Sequence, residues 1–451
     1  MEKLFSEFNA ATAQDWKQQI IQDLKGAGFE KLIWHNANGF DVNPFYTSED
    51  VIEKSQPLFT HADWEICSEI IVDTEKTANT KALKALTGGA SSLNFVVNKK
   101  IDFTVLLNEI STEHIELNFK LKYADENFIA DFNFYLKQKN SSPEKINGSI
   151  SFDAIGQLAE TGINPEFSPD SYREENAVLR TNCINAALYQ NAGATQSFEL
   201  ACALSHAHEY LVTQADKNSS TKKPFRFTVA IGSDFFGEIA KLRAVRKLWT
   251  VIAKEYNANP EIYLHCKTSL LNKSSLDANN NMLRTTTEGM SAVIGGCNSL
   301  TINSYNEGFE NVNDFSERMA RNQQLIFKEE SYLDKVADIG AGSYYIEKLT
   351  DEIAEKAWEE FKIIESKGGF VACLKSNYIQ NKIHEQAAEL IREFKEEKII
   401  LVGVNKFKNK NEKQAPIAIG KSSKNKEANP NTQYAVIKSI CLSDYLVKEN
   451  A

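Results

Sequence analysis

The chain has 451 residues, of which 42% are hydrophobic and 25% are charged, and its formal net charge is −10. This length and composition are typical of a globular protein with one large domain and some extensions. The acidic balance without a basic domain excludes nucleic acid as a partner, and no apolar run approaches the roughly 18 residues of a membrane-spanning helix.

The seven cysteines include no C-x-x-C pair. An odd number of cysteines in no recognisable pattern indicates reduced thiols. The N-terminal residues MEKLFSEFNAATAQDW have neither the apolar stretch of a signal peptide nor the Arg-rich, acid-poor character of a transit peptide. We therefore expect a cytoplasmic protein.

Residues 1–57 are predicted to form an extended N-terminal arm. A helical pattern runs from Asp15 to Lys25 and ends near Gly26 and Gly28. The residues that follow, 32–51, form short extended pieces that Asn-Gly and Asn-Pro interrupt. This segment is therefore interpreted as an arm rather than as part of a core.

Strand and helix patterns alternate from residue 58 to residue 404, which is predicted to be the main domain. The strand patterns are SSLNFVV (91–97), KINGSISFD (145–153), AVLRTNCI (177–184), RFTVAIGS (226–233), EIYLHCKTS (261–269), CNSLTINS (297–304) and IILVGVNKF (399–407). In the helix pattern of residues 234–256, Ile239, Leu242 and Val245 form one apolar stripe. Six or more strands separated by helices favour an α/β fold of the (β/α)8 TIM-barrel type.

The predicted strands alternate between apolar and small polar residues. Ser149 and Ser151 flank Ile150, and Thr301 follows Leu300. Strands of a parallel sheet that is buried on both faces are normally continuous apolar runs. If the apolar set faces the helices, the barrel interior is lined with polar groups and must hold water or a threaded polar chain. The sequence therefore predicts a hollow, polar bore.

The stretch from residue 282 to residue 345 has the clearest local signals. Leu283–Ile294 reads as a helix that Gly295 and Gly296 terminate, and a strand follows. Asp314 with Glu317 is a predicted capping box for the next helix. Earlier in the chain, His206 and His208 have one residue between them on a helix, so they point to different faces. This spacing favours structural roles over a metal site.

Three strings in this stretch, RTTTEGMSAVIGGCNSL, SERMARNQQLIFKEES and GSYYIEKLT, resemble the core signature of the methylmalonyl-CoA mutase family. The resemblance implies a barrel whose polar bore holds the pantetheine arm of coenzyme A. In catalytic members adenosylcobalamin supplies the radical, and the protein binds, orients and polarises the substrate. The resemblance also implies that residues 1–57 wrap onto a partner subunit, while the alternative that they cap their own barrel stays open.

The family's cobalamin-binding loop has no counterpart in this sequence. That loop reads Asp-x-His-x-x-Gly, and none of the seven histidines has Asp two positions earlier. Only 47 residues follow Val404 (451 − 404), fewer than the roughly one hundred of a flavodoxin-like domain, so residues 405–451 are interpreted as a Lys/Asn-rich extension. We expect the chain itself to bind no cofactor, with adenosylcobalamin on the partner subunit.

Several substrate-contacting groups of catalytic members are replaced. Matching the family's Gly-Tyr-His-Met-Gln-Glu-Ala-Gly-Ala string at Ala192 places Leu188 at the histidine that donates to the migrating thioester oxygen. Arg226 falls at the serine of Pro-Arg-Leu-Ser-Phe-Phe, although a two-residue slip would place it at the arginine. Asn298 and Thr301 replace Gln and His of the strand string Gln-Ser-Leu-His. No residue is assigned a catalytic or metal-binding role, and the predicted vestigial substrate-pocket positions are Ser149, Ser151, Leu188, Arg226, Asn298 and Thr301.

These replacements predict the non-catalytic small subunit of a heterodimeric methylmalonyl-CoA mutase, paired with a homologous catalytic large subunit or with itself when isolated. One alternative is a substrate-binding acyl-CoA mutase chain with a separate cobalamin-binding subunit, which should keep a proton donor at position 188. Another is a pseudo-enzyme that binds acyl-CoA without turnover. Binding of acyl-CoA depends on whether large side chains such as Arg180 or Lys267 plug the bore.

Overall fold

The computed structural model describes residue 7 and residues 11–51, 57–164, 179–216, 223–409 and 432–447. Two short strands, β1 (Trp34–His35) and β2 (Asp41–Val42), form an antiparallel hairpin in the arm. The strands of the main domain are β3 (Glu65–Val72), β4 (Ser92–Val97), β5 (Glu116–Leu121), β6 (Asn147–Ser151), β7 (Cys183–Asn185), β8 (Phe225–Ile231), β9 (Ile262–Thr268) and β10 (Ser299–Thr301).

These eight strands pair in the order β6-β5-β4-β3-β10-β9-β8-β7, and every pairing is parallel. A backbone bridge between Ser149 and Arg180 joins the two ends of the sheet. The Ile150 N–H donates to the Arg180 carbonyl at 2.8 Å, and the Arg180 N–H donates to the Gly148 carbonyl at 3.0 Å. The predicted α/β fold of the (β/α)8 TIM-barrel type is therefore confirmed.

Helices surround this barrel, and they follow the strands along the chain. The helices are α1 (Ala13–Asp23), α2 (Glu75–Thr87), α3 (Phe103–Leu106), α4 (Phe128–Gln138), α5 (Ala154–Thr161), α6 (Ala187–Asn191), α7 (Gln196–Asp216), α8 (Phe235–Glu255), α9 (Asn280–Ile294), α10 (Asp314–Glu329), α11 (Tyr344–Ser366), α12 (Phe370–Lys375), α13 (Tyr378–Lys395) and α14 (Asp444–Val447). None of these helices in the described part of the chain combines the length and the apolar character needed to cross a bilayer.

The helix ends largely follow the sequence signals. Helix α9 stops at Ile294, and Gly296 then adopts a φ of +82°, as expected for a glycine stop. The capping box of α10 lies one residue earlier than predicted. Asn313 is extended and its side-chain oxygen accepts from the Ser316 N–H, while the Ser316 hydroxyl oxygen accepts from the Asn313 N–H. Asp314 is already the first helical residue, so it cannot serve as the cap.

Two strand predictions are wrong in part or in whole. Of residues 177–184, only Cys183 and Ile184 belong to a strand, and residues 177 and 178 lie outside the described part. Residues 399–407 form a tight turn in which Gly403 has a φ of +81°. Leu401 and Val404 are nevertheless buried, because they pack on Phe394 of α13. Their apolar character reflects this small cluster rather than a strand.

The apolar side chains of the barrel strands face the helices. Leu93 and Phe95 of β4 are completely buried in a cluster with Phe119 of β5 and Phe132 of α4. A second cluster joins the strands β7 to β10 to α7, α8 and α11. The alternation in the sequence therefore places the polar set inside the barrel, as expected.

Both terminal segments pack on the barrel. In the arm, Phe40, Val42 and Tyr46 are buried in the barrel's larger apolar cluster. At the other end, residues 432–447, here called the strap, cross the C-terminal ends of the strands. The Ile440 N–H donates to the Asn191 carbonyl, and the Leu442 N–H donates to the Leu271 carbonyl.

Candidate functional site

A buried ion pair obstructs the bore near the N-terminal ends of the strands. Arg180 lies 2.5 Å from Glu116, and its guanidinium is 3.9 Å from the centroid of the Tyr263 ring. The Arg180 side chain is 14% exposed and that of Glu116 is 4% exposed. We call Glu116, Arg180 and Tyr263 the plug. The bore is therefore not hollow along its length, and Arg180 is one of the two residues that the sequence indicated as able to fill it.

A chain of hydrogen bonds connects the plug to the middle of the bore. Ser149 donates to the Asn118 side-chain oxygen at 2.6 Å, and Asn118 donates to Ser92 at 3.1 Å. Ser92 in turn donates to Glu116 at 2.9 Å. These four buried side chains therefore satisfy one another in part.

A second ion pair lies in the bore toward the C-terminal ends of the strands. Lys267 on β9 lies 2.9 Å from Glu69 on β3, and Asn94 donates to the other Glu69 oxygen at 3.1 Å. Burial by itself would raise the pKa of Glu69, but Lys267 and Lys120 more than offset it and lower that pKa to about 2. Glu69 is therefore ionised at neutral pH and binds Lys267 as a carboxylate.

This lowered pKa predicts a pH-dependent contribution to stability. A carboxyl whose folded-state pKa lies below its ordinary value of 4.5 stabilises the fold above that value and stops doing so as pH falls toward 2. We expect Glu69→Gln to lower the free energy of unfolding by about 3 kcal/mol at pH 7 and by less than half of that at pH 3. Urea unfolding of both proteins across this pH range measures the difference.

The control for this experiment is Glu359→Gln, because Glu359 forms an exposed pair with Lys356 on the surface of α11. Such surface pairs contribute about 0–1 kcal/mol. A difference between wild type and Glu69→Gln that stays constant from pH 7 to pH 3 would contradict the assignment of the Glu69 carboxylate to this ion pair.

The bore also contains one imidazole, that of His265. Its Nδ1 atom is 2.8 Å from the Ser299 hydroxyl, and its Nε2 atom is 3.5 Å from that of Thr301. Burial, followed by the nearby charges of Arg226, Lys267 and Lys120, lowers the His265 pKa well below its ordinary value. The ring is therefore neutral, and it lies in the middle of β9 rather than at the mouth of the barrel.

The six predicted pocket positions do not converge on one site. Ser151, Leu188 and Arg226 line a cavity of about 160 Å³ at the C-terminal end of the bore. Ser149 belongs to the hydrogen-bond chain below it, and Thr301 lines a neighbouring cleft. Asn298 lies at the opposite, N-terminal mouth, where its side-chain oxygen accepts from Arg246 and from the Leu264 N–H.

Three charged residues of the bore were not among the predicted positions. Glu69, Glu116 and Lys120 occupy inward positions of the strands EICSEIIV and ELNFKL. Their alternation with Ile70, Leu117 and other apolar residues was the signal that could have identified them.

The N-terminal mouth of the barrel carries four carboxylates, most of which are paired. A cavity of about 400 Å³ opens there, below the plug. Its carboxylate-bearing lining residues are Asp63, Glu65, Glu113 and Glu116. Glu116 pairs with Arg180, Asp63 with Lys328 and Glu113 with Lys145.

The described residues contain no group of three or more His, Cys, Asp or Glu side chains that could hold a metal ion. His206 lies 2.9 Å from both the Tyr189 hydroxyl and Asp153, and it is completely buried. His208 contacts Glu365 and the Tyr256 hydroxyl. Both histidines therefore contact polar side chains of the fold, and their structural role stays a prediction. All seven cysteines are buried and unpaired.

The C-terminal mouth offers little for binding a corrin cofactor. The strap crosses it, and Ser439 of the strap lines the cavity beneath. Leu188, on α6 beside this cavity, presents an aliphatic side chain, and the nearest imidazole in the bore, that of His265, is already bonded to Ser299. The residues present at this mouth do not fit adenosylcobalamin.

Comparison with known proteins gives a consistent result. A family model described as methylmalonyl-CoA mutase matches residues 87–441. The methylmalonyl-CoA mutase small subunit of Porphyromonas gingivalis is 37% identical in an alignment 447 residues long. This alignment covers 90% of this chain and 71% of that protein. The methylmalonyl-CoA mutases of Rhizobium meliloti and Escherichia coli are 29% and 26% identical, and the alignments cover 90% and 88% of this chain.

The chain spans about two thirds of the length of these relatives. The matched region makes up 65% of the Rhizobium meliloti protein and 64% of the Escherichia coli protein. The three strings that carried the resemblance, residues 284–300, 316–331 and 342–350, all lie inside the region that the family model matches.

Proposed function

Because the chain belongs to the methylmalonyl-CoA mutase family, we propose that it is the non-catalytic small subunit of a heterodimeric, adenosylcobalamin-dependent methylmalonyl-CoA mutase. Its partner is a homologous large subunit that binds cobalamin and interconverts (R)-methylmalonyl-CoA and succinyl-CoA. The complex is cytoplasmic, which the buried, unpaired cysteines support. The role of this chain is to stabilise and complete the heterodimer.

The observation that carries this proposal is the plug. A pantetheine arm needs a continuous bore, and the Arg180 side chain lies in the bore between Glu116 of β5 and Tyr263 of β9. Moving Arg180 away would leave the buried Glu116 carboxylate without its partner, at a cost of about 3–5 kcal/mol.

The chemistry of the C-terminal mouth supports the same role. A migrating thioester carbonyl needs a hydrogen-bond donor, and a positioned proton donor of this kind contributes about 10²–10⁴-fold to a rate. Leu188 has no proton to donate. The strap also runs beside this mouth, where Ser439 lines the cavity. An acyl-CoA mutase chain that borrows cobalamin is therefore less well supported.

The association with a partner is supported by the relative named as a small subunit, which aligns with 90% of this chain. The arm provides a candidate contact. Helix α1 has no buried residues, and Trp34 and Phe45 are about half exposed although the neighbouring Phe40 and Tyr46 are buried on the barrel. The arm thus caps its own barrel and still exposes aromatic surface to a partner.

Co-expression with the homologous large subunit tests the proposal. We expect the two chains to co-purify in equal amounts with mutase activity, while this chain alone, given adenosylcobalamin and methylmalonyl-CoA, forms no succinyl-CoA. Calorimetry of the isolated chain with methylmalonyl-CoA should show no binding. Activity of the isolated chain, or an active large subunit that never associates with it, would refute the proposal. Binding of acyl-CoA without turnover would favour the acyl-CoA-binding pseudo-enzyme.

A further inference from the structure

The cavity at the C-terminal end of the bore is large enough for a small ligand. Its volume is about 160 Å³, roughly ten times what a single buried water requires. It remains below the about 300 Å³ at which pockets for drug-sized ligands begin. Charged and polar side chains dominate its lining: Glu69, Lys120, Arg226, His265, Lys267 and Ser439.

Arg226 brings an unpartnered positive charge to this cavity. The residue is 3% exposed, and among the described residues its side chain makes one hydrogen bond, from Nη1 to the Thr228 hydroxyl, which is 3.4 Å long. Its Nε and Nη2 atoms are buried without an acceptor. No carboxylate of the described residues forms an ion pair with it. Burying an arginine in this way is costly unless an anion compensates its charge.

Lys120, the neighbouring cation, also has no ion pair among the described residues. The two carboxylates that line the cavity are already engaged. Glu69 pairs with Lys267 at 2.9 Å, and Glu160 pairs with Lys122 at 2.8 Å. Arg226 and Lys120 therefore form a positive excess inside the barrel. Burial lowers the pKa of Lys120, as expected for an ammonium group without a compensating partner.

We propose that this cavity binds one small oxyanion, inorganic phosphate or a short carboxylate, through Arg226 and Lys120. The planar guanidinium matches the oxygen spacing of both ligands, and the ammonium adds a second positive charge. A cleft of about 270 Å³ shares Glu69 and Lys267 with the cavity and extends to the exposed Lys81, so it provides a path from solvent. The site does not depend on the proposed subunit role.

The experiment is isothermal titration calorimetry of the whole chain with phosphate and, separately, with malonate, at ionic strength fixed with sodium chloride. We expect one site per chain. Arg226→Gln should weaken binding at least tenfold, and Lys120→Gln should weaken it as well. The control, Lys247→Gln, removes an equal charge from an exposed pair on α8 and should leave binding unchanged.

Thermal unfolding with and without phosphate provides a second measurement. It distinguishes an arginine that binds the anion from one with only a structural role. Without phosphate, Arg226→Gln should be at least as stable as wild type, because it removes an unpaired buried charge. With phosphate, wild type should gain stability and the variant should not. If Arg226→Gln fails to fold, Lys120→Gln carries the same comparison.

The two titrations distinguish the two classes of ligand. Stronger binding of phosphate than of malonate identifies a phosphate site, and the reverse identifies a carboxylate site. The proposal is overturned if wild type shows no saturable binding with Kd below about 10 mM, or if all variants bind equally.

Discussion

Lys241→Met is expected to lower the free energy of unfolding by about 3–5 kcal/mol, because it leaves two buried carboxylates without their cation. Lys241 is completely buried on α8, and its ammonium lies 2.7 Å from Glu199 and 2.5 Å from Glu238. The same ammonium donates to the Ala230 carbonyl of β8 at 2.6 Å. Urea unfolding monitored by circular dichroism measures the loss.

The pH dependence of this loss follows from the carboxyl groups. Burial, with the nearby Glu238, raises the pKa of Glu199 from 4.5 to about 7 even though Lys241 opposes the shift. A carboxyl with a raised pKa loses its contribution to stability as pH rises through the folded-state value. Without Lys241 the pKa of Glu199 should rise further, so the deficit of Lys241→Met should be small near pH 5 and largest above pH 7.

Lys247→Met is the matched control, since Lys247 lies on the same helix and pairs with Asp351 at the surface. We expect it to change stability by less than about 1 kcal/mol. Equal losses in the two variants, or a loss in Lys241→Met that does not change with pH, would show that the buried carboxylates are not held by Lys241.

Gly148→Ala is expected to cost at least about 3 kcal/mol or to prevent folding, because the backbone at this position leaves no room for a side chain. Gly148 has a φ of +142°, and a Cβ atom there would lie 1.7 Å from the Leu117 carbonyl oxygen. The neighbouring β5 would have to move away. The carbonyl of Gly148 also accepts the Arg180 N–H that closes the barrel.

The control is Gly39→Ala in the hairpin of the arm. Gly39 also has a positive φ, +83°, but an added Cβ would meet nothing within 4 Å. It should therefore cost only the backbone strain, about 1–2 kcal/mol. Thermal unfolding of both variants measures the difference. If Gly148→Ala were no worse than Gly39→Ala, the close approach of β5 and β6 at this point would be refuted.

The sequence predicted the barrel because its signals are local and repeat along the chain. Helix α9 with its glycine stop and the apolar stripe of α8 each depend on residues within a few turns of one another. The errors arose where a local pattern has two possible causes. In residues 399–407, Leu401 and Val404 are apolar because they pack in a cluster with Phe394 and Leu442 rather than in a strand. The N-cap of α10 lies one residue before the predicted one.

The candidate site was predicted less completely. The polar lining of the bore followed from strand alternation, which fixes the face on which a side chain lies. The assignments at Leu188 and Arg226 came from the family resemblance, and the structure places both at one cavity. The vestigial role of the six positions remains a prediction.

The sequence alone determined the family, the barrel and the polar character of its interior, because these depend on residue strings and on a period of two along each strand. Only the tertiary structure decided that ion pairs obstruct the interior. Arg180 meets Glu116 across 64 residues and Lys267 meets Glu69 across 198 residues. Such pairs depend on the order and stagger of the strands around the barrel, which no local pattern encodes.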